Sequence, residues 1–156
     1  MKTTTDCMDE KLTTLRRIAE LLNEEGIMWA VGGSLMLFLR GRVKKFHDID
    51  LMVAEEQAEE ARALLAQMGT PMPEKPNDRY RTRHYHEFVI YGTDVDLVAG
   101  FVIVKDGVAH ECPLLPEDIT ETVDLQGTAI PLHALSTWQH YYTLMGRTEK
   151  AALCKA

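Results

Sequence analysis

Aspartates recur two residues apart at two places in this chain, Asp48-Ile49-Asp50 and Asp94-Val95-Asp96, each inside a short apolar string. On an extended strand, residues two apart share a face and lie about 6.5–7 Å apart along the chain. Asp48 and Asp50 therefore present two carboxylates side by side, while Ile49 and Leu51 turn the other way into apolar packing. Such a pair can converge on one hard cation such as Mg²⁺, which takes oxygen ligands and leaves positions for water and substrate phosphates. If the second acidic strand neighbours the first, Asp94 or Asp96 supplies a third carboxylate. Three such charges repel strongly unless cations neutralise them. Two metal ions about 3.5–4 Å apart could then clamp the attacking and leaving oxygens of a phosphoryl displacement.

A partner for that chemistry stands upstream. Gly32-Gly33-Ser34 follows a short apolar run and opens a helix-like one, "SLMLFLRG". Glycines let the backbone approach a ligand closely, and a helix start with Ser34 near its N-cap points free N–H groups at phosphate. Arg40, Arg42, Lys44 and Lys45 lie between this turn and the first aspartate pair and could neutralise further phosphate charge. Each feature alone is commonplace: a tight connection, a solvated strand end, a wet basic loop. Their succession in this order points to a site for a metal-bound triphosphate.

The histidines offer a rival. His84 and His86 are two apart on an expected strand and, with His47 or Glu87, could bind a transition metal. A zinc hydrolase needs three convergent ligands, which the sequence does not demonstrate. Arg81 or Arg83, next to them, could instead lie over nucleotide phosphates. An EF-hand read from "DIDLMVAEEQAEE" fails, because Met52 and Val53 stand where oxygen ligands and a nearby glycine are needed. Cys7, Cys112 and Cys154 are odd in number and far apart, which indicates neither a disulfide framework nor a structural zinc site.

The elements that must position these residues follow from periodicity. "DEKLTTLRRIAELLNEEG" has apolar residues at helical spacing, and "IMWAV" (27–31) is a short strand. "DIDLMV" (48–53) is a strand and "EEQAEEARALLAQMG" (55–69) a helix. The proline-rich "TPMPEKPND" reads as a loop. Residues 84–112 read as three or four strands with turns at Gly92-Thr93 and Asp106-Gly107. A further strand pair in "VDLQGTAIPL" precedes one or two terminal helices broken near Gly146. The order implies an α+β (or α/β) protein, a mixed sheet flanked by helices. With 156 residues it forms a single domain, with a core of about 10–131 and a short C-terminal helical tail, about 132–156. Trp138, His140, Tyr141 and Tyr142 suit either the wall of an acceptor cleft or the core, and at least half of them are expected in the core.

A net charge of -7 gives no global positive field for holding DNA or RNA, so a nucleic-acid partner is disfavoured. The N-terminus lacks the apolar centre of a signal peptide, and no apolar run approaches the roughly 20 residues that span a bilayer. A cytosolic protein without a membrane partner is expected.

The string Gly32-Gly33-Ser34, a short helix, "HDIDLMV" and then "DVDLV" resembles the nucleotidyltransferase superfamily typified by DNA polymerase β. Within it, "WAVGGSLMLFLRGRVKKFHDIDL" is most similar to small antibiotic nucleotidyltransferases that act on lincosamides or on the 2″-hydroxyl of aminoglycosides. The resemblance runs over about residues 26–100, with a looser echo in "GTAIPLHALSTWQHYYTLMGR". It implies a nucleotidyltransferase fold and a transferase that moves a nucleoside monophosphate from ATP or another nucleoside triphosphate to a hydroxyl of a small molecule, an antibiotic among the candidates. It further implies that Asp48, Asp50 and Asp96 hold Mg²⁺ and carry catalysis. Asp96 matches the third acid better than Asp94, because an apolar residue precedes it and Leu97 follows. Gly32, Gly33 and Ser34, with Arg40, Lys44, Lys45 and Arg83, would contact the nucleotide. The alternatives are a toxin/antitoxin-type enzyme that modifies a protein or tRNA, and a noncatalytic nucleotide-binding module of the same fold. A homodimer is a candidate assembly, since so short a chain could use a neighbour to wall its cleft.

Overall fold

The computed structural model describes residues 3–74 and 81–156. Helix α1 (Thr4–Glu24) begins at Thr4 rather than at Asp9 because a reciprocal cap holds its first turn. Thr3 Oγ1 accepts the Asp6 amide, and the Asp6 carboxylate accepts the Thr3 amide. Its buried Leu15, Ile18 and Leu22 repeat at helical spacing and form one apolar stripe. Strand β1 (Trp29–Gly32), α2 (Gly33–Leu39) and β2 (Ile49–Val53) follow. A 3₁₀ turn over Glu55–Gln57 then leads into α3 (Ala58–Met68).

Next come β3 (Thr70–Pro71), β4 (His84–Ile90), β5 (Thr93–Ala99), β6 (Phe101–Lys105) and β7 (Val108–Cys112). The chain closes with β8 (Ile119–Leu125), β9 (Thr128–His133), α4 (Leu135–Leu144) and α5 (Thr148–Leu153). The start of the expected proline-rich loop is a short strand. Thr70 and Pro71 pair antiparallel with Val89 and Phe88. Proline is tolerated there because β3 is the sheet edge, where a missing N–H breaks no interior ladder. Residues 75–78 of that loop lie outside the described residues.

The sheet is mixed and seven-stranded, in the order β3-β4-β5-β2-β1-β9-β8, and β6-β7 form a separate hairpin. Strand β1 lies inside it, antiparallel to β2 and parallel to β9, and all four of its residues are buried. Strand β2 runs parallel to β5, which sets Asp50 beside Asp96 and Leu51 beside Leu97. Alternation along the two strands sends Ile49, Leu51, Val95 and Leu97 into the core, where each is fully buried. The aspartates take the opposite face.

Helix α3 covers the Ile49/Leu51 face, since His84 and His86 lie on the side of β4 that meets Glu59 of α3. Helix α1 packs on α3 and β9. Helix α4 packs on β6 and buries Trp138, Tyr141 and Tyr142, leaving His140 exposed. Strand β9 ends at His133, just inside the segment expected as a helical tail, so that tail is continuous with the sheet.

Candidate active site

Two strands and one turn build the site. Asp48 stands immediately before β2, Asp50 within it, and Asp94 and Asp96 on the parallel neighbour β5. Because neighbouring strands lie about 4.8 Å apart, the four side chains form a two-by-two array. Its outer pair is Asp48 and Asp94, whose oxygens lie within 4.8 Å of each other and of a His47 nitrogen. The His47 Nδ1 is 2.5 Å from Asp48 Oδ1. The inner pair is Asp50 and Asp96, in the wall of a cavity of about 270 Å³. Asp96 is 9% exposed, whereas Asp94 is open to solvent. Burial therefore separates the two rivals for third carboxylate.

The inner pair is electrostatically frustrated. Burial raises the Asp50 carboxyl well above the usual carboxylate range, and the Asp96 and Asp48 charges push it further. Asp96 is pushed up to about 6, by burial first and the Asp48 charge second, while a hydrogen bond with Tyr85 opposes the shift. Oxygen donors that so disfavour their own charge fit a hard divalent cation, which would restore the ionised forms. Asp50 and Asp96 offer such oxygens in the cavity wall, and Asp48 sits one step outward, where its carboxylate groups with Asp94 and His47.

The glycine turn has a more specific origin than closeness to a ligand. Gly33 has φ +60°, and a Cβ there would run into the Asp50 carboxylate. A Cβ on Gly32 would run into the indole of Trp138. One glycine thus admits the acid to the backbone of the turn, and the other seats α4 on the end of β1. Gly32 itself caps α2 with no side-chain bond, and Ser34 lies within the helix. The Ser34 hydroxyl instead accepts a hydrogen bond from Lys150 Nζ at 2.8 Å.

Lys150 and Arg147 escaped the sequence reading. Arg147 lines the cavity with Gly33, Ser34, Asp50 and Asp96, and its charge favours ionised Asp50. Its guanidinium lies over the Tyr142 ring, 5.6 Å from the centroid. The available signal was two basic residues three apart after Gly146, one helical turn, with Arg147 at the last position of the looser part of the resemblance and Lys150 beyond it. Tyr85, Phe101, Trp138 and Tyr142 supply an aromatic wall. Trp138 and Tyr142 therefore serve the core and the cavity together.

The basic residues singled out upstream divide differently. Arg40 has a 6% exposed side chain, pairs with Glu121 at 3.2 Å and donates to the His133 carbonyl at 2.9 Å. The His133 ring next to it accepts from Trp138 Nε1 at 3.0 Å, and burial with the Arg40 charge pushes it down to about 4, leaving it neutral. Arg42 donates to the Leu153 and Lys155 carbonyls at the end of α5. Lys44 is exposed. Lys45 lines a second groove, of about 420 Å³, which shares Ser34 with the first and includes Lys11. Arg83 lies apart from the cavity wall, bound to Glu55 at 2.6 Å and Glu111 at 2.7 Å. His84 and His86 point to the α3 face, away from Glu87, which pairs with Asp96 on the other face, and His47 stands beside Asp48. The transition-metal set imagined from His84, His86 and His47 or Glu87 is therefore not assembled.

A mixed sheet that sets acids on adjacent parallel strands, facing a glycine turn at a helix start, defines a nucleotidyltransferase. Within that class the chain belongs to the aminoglycoside-2''-adenylyltransferase family, whose sequence model matches residues 14–153. Curated protein sequences offer no match. Among solved structures, a Thermotoga maritima protein with a provisional nucleotidyltransferase designation shares 28% identity at a TM-score of 0.75, covering 92% of this chain and 89% of its own. The antibiotic-resistance factor ANT(2'')-Ia, in complex with adenylyl-2''-tobramycin, shares 16% identity at a TM-score of 0.62 over 92% of this chain and 87% of its own. The lincosamide adenylyltransferase LnuA, bound to lincomycin, shares 13% at 0.61 over 92% and 96%.

Proposed function

We propose that this enzyme transfers a nucleoside monophosphate, with ATP the foremost donor, to a hydroxyl of an aminoglycoside-like acceptor. The supporting observation is the pairing of Asp50 with Asp96 in a cavity that also contains Ser34 and Arg147. The acceptor oxygen attacks the α-phosphorus in line, the new P–O bond forms as the bond to the β-phosphate oxygen breaks, and pyrophosphate leaves. Asp96, beside Asp50 in the cavity wall, takes the acceptor proton. Mg²⁺, held by Asp48, Asp50 and Asp96, would neutralise the phosphates and polarise the α-phosphoryl group.

Gly33 and Ser34 line the approach to the phosphates, Arg147 supplies positive charge in the same cavity, and Lys150 supplies it at Ser34. Lys45 and Lys11 flank the adjoining groove, where the distal phosphates fit. The aromatic wall offers a stacking surface for the base or a sugar ring. Asp94 and Glu87 place acids around the inner pair beyond those a metal needs, which suits a polycationic acceptor better than a neutral one. Incubation with ATP, Mg²⁺ and either tobramycin or lincomycin, read by mass spectrometry, tests this. An acceptor–AMP conjugate, stronger with the aminoglycoside, is expected. ATP binding without a conjugate from either class would overturn the small-molecule reading.

A further inference from the structure

The opposite face of the same sheet holds a second cluster. His84 and His86 on β4 and Glu59 on α3 each offer a ligand atom, and these atoms lie within 4.8 Å of one another. His84 Nδ1 is 3.6 Å from Glu59 Oε1, and His86 Nδ1 is 3.5 Å from Glu74 Oε1. The two imidazole rings are neighbours, tilted at 56° with centroids 6.2 Å apart. The His86 side chain is only 11% exposed, and its Nε2 is buried with no hydrogen-bond partner among the described residues. We propose that Glu59, His84 and His86, with Glu74 as fourth donor, form a site for a first-row divalent cation of the Zn²⁺ type.

Several features favour a cation over a plain polar contact. Two imidazoles and carboxylates are the donor set zinc takes. Donors about 2.0–2.1 Å from a tetrahedral zinc stand roughly 3.3 Å from one another, close to the 3.5 and 3.6 Å already present between the two His–Glu pairs. Alternation on β4 places both rings on one face without backbone distortion. Two carboxylates against one divalent cation leave the cluster neutral. Arg62 competes weakly for Glu59, at 3.8 Å between partners that are both largely exposed. A bound ion would tie α3, β4 and the stretch around Glu74 together, with the whole sheet between it and the catalytic carboxylates.

The test uses the full chain, stripped with chelator and titrated with Zn²⁺ alone, in the wild type and in an Asp48→Asn/Asp50→Asn variant that disables the carboxylate site. One equivalent should bind in the double variant, and the wild type should keep that equivalent in addition to any ion taken by its carboxylates, with a rise in melting temperature through linkage. In the double variant Co²⁺ should give the intense visible absorption of a tetrahedral site. Glu59→Gln and His84→Gln, both at partly or largely exposed side chains, should weaken binding by more than the roughly 10–100-fold that losing a supporting partner costs. Circular dichroism confirms that these variants remain folded. Absence of Zn²⁺ binding, binding unaffected by Glu59→Gln and His84→Gln, or binding lost in the Asp48→Asn/Asp50→Asn variant would each overturn the proposal.

Discussion

Residues 40–45 and residues 147–150 are both basic, yet they differ in what they touch. The first cluster lies in sequence beside the aspartates and largely serves the fold: Arg40 is sealed against Glu121 and His133, and Arg42 holds the end of α5. The second lies some hundred residues downstream of those aspartates, and there Arg147 lines the carboxylate cavity and Lys150 bonds Ser34. Proximity along the chain says little about proximity to the chemistry. A helix returned over the end of β1, made possible by Gly32 beneath Trp138, brings the distant cluster home.

Only the second cluster reaches the inner acids, and the largest effect belongs to those acids themselves. Asp50→Asn or Asp96→Asn should lower kcat by about 10²–10³-fold or more, while Asp94→Asn, at the exposed corner of the array, should leave most of the rate. Equal loss at Asp94 and Asp96 would break the burial argument. Gly33→Ala should also lower kcat sharply, because its Cβ collides with the Asp50 carboxylate. Next, Arg147→Ala and Lys150→Ala should raise the KM for nucleotide or lower kcat by about 10–100-fold, the worth of one charge-assisted hydrogen bond. Arg40→Ala should behave differently, losing about 1–3 kcal/mol of stability in denaturant titration with little change in kcat of the folded fraction. Lys44→Ala should have the smallest effect on both readouts.

The inner pair also sets a pH signature. The folded protein holds Asp50 and Asp96 protons more tightly than the unfolded chain does, so their contribution to stability is present at low pH and lost as pH rises from the ordinary aspartate range through about 6. The neutral His133, pushed down to about 4, contributes an opposing rise over the same window, so the signature is a difference. Without divalent cations, wild type should lose melting temperature relative to Asp96→Asn as pH rises through about 6. Added Mg²⁺ should flatten that relative loss. Wild type and Asp96→Asn curves that run parallel over that window would contradict the electrostatic picture.

Much of this was legible in the sequence. Strict alternation in Asp48-Ile49-Asp50 and Asp94-Val95-Asp96 fixes which face each acid takes, and the fold class follows from the order of helix and strand patterns. Tertiary placement was not legible. The edge strand Thr70–Pro71 is too short to show alternation and contains a proline, so local chemistry argued for a loop. Basic residues carry no periodic signal that separates an arginine sealed inside the fold from one facing a ligand. Arg147 and Lys150 owe their position to the docking of α4 through Trp138, a contact that no short stretch encodes.

The most direct test is pyrophosphate release from ATP with Mg²⁺ and tobramycin, comparing wild type, Asp96→Asn, Arg147→Ala and Lys44→Ala. Release that requires the aminoglycoside, vanishes in Asp96→Asn, drops strongly in Arg147→Ala and persists in Lys44→Ala is the predicted result. Release that survives Asp96→Asn, or that depends on Lys44 and not on Arg147, would contradict the account.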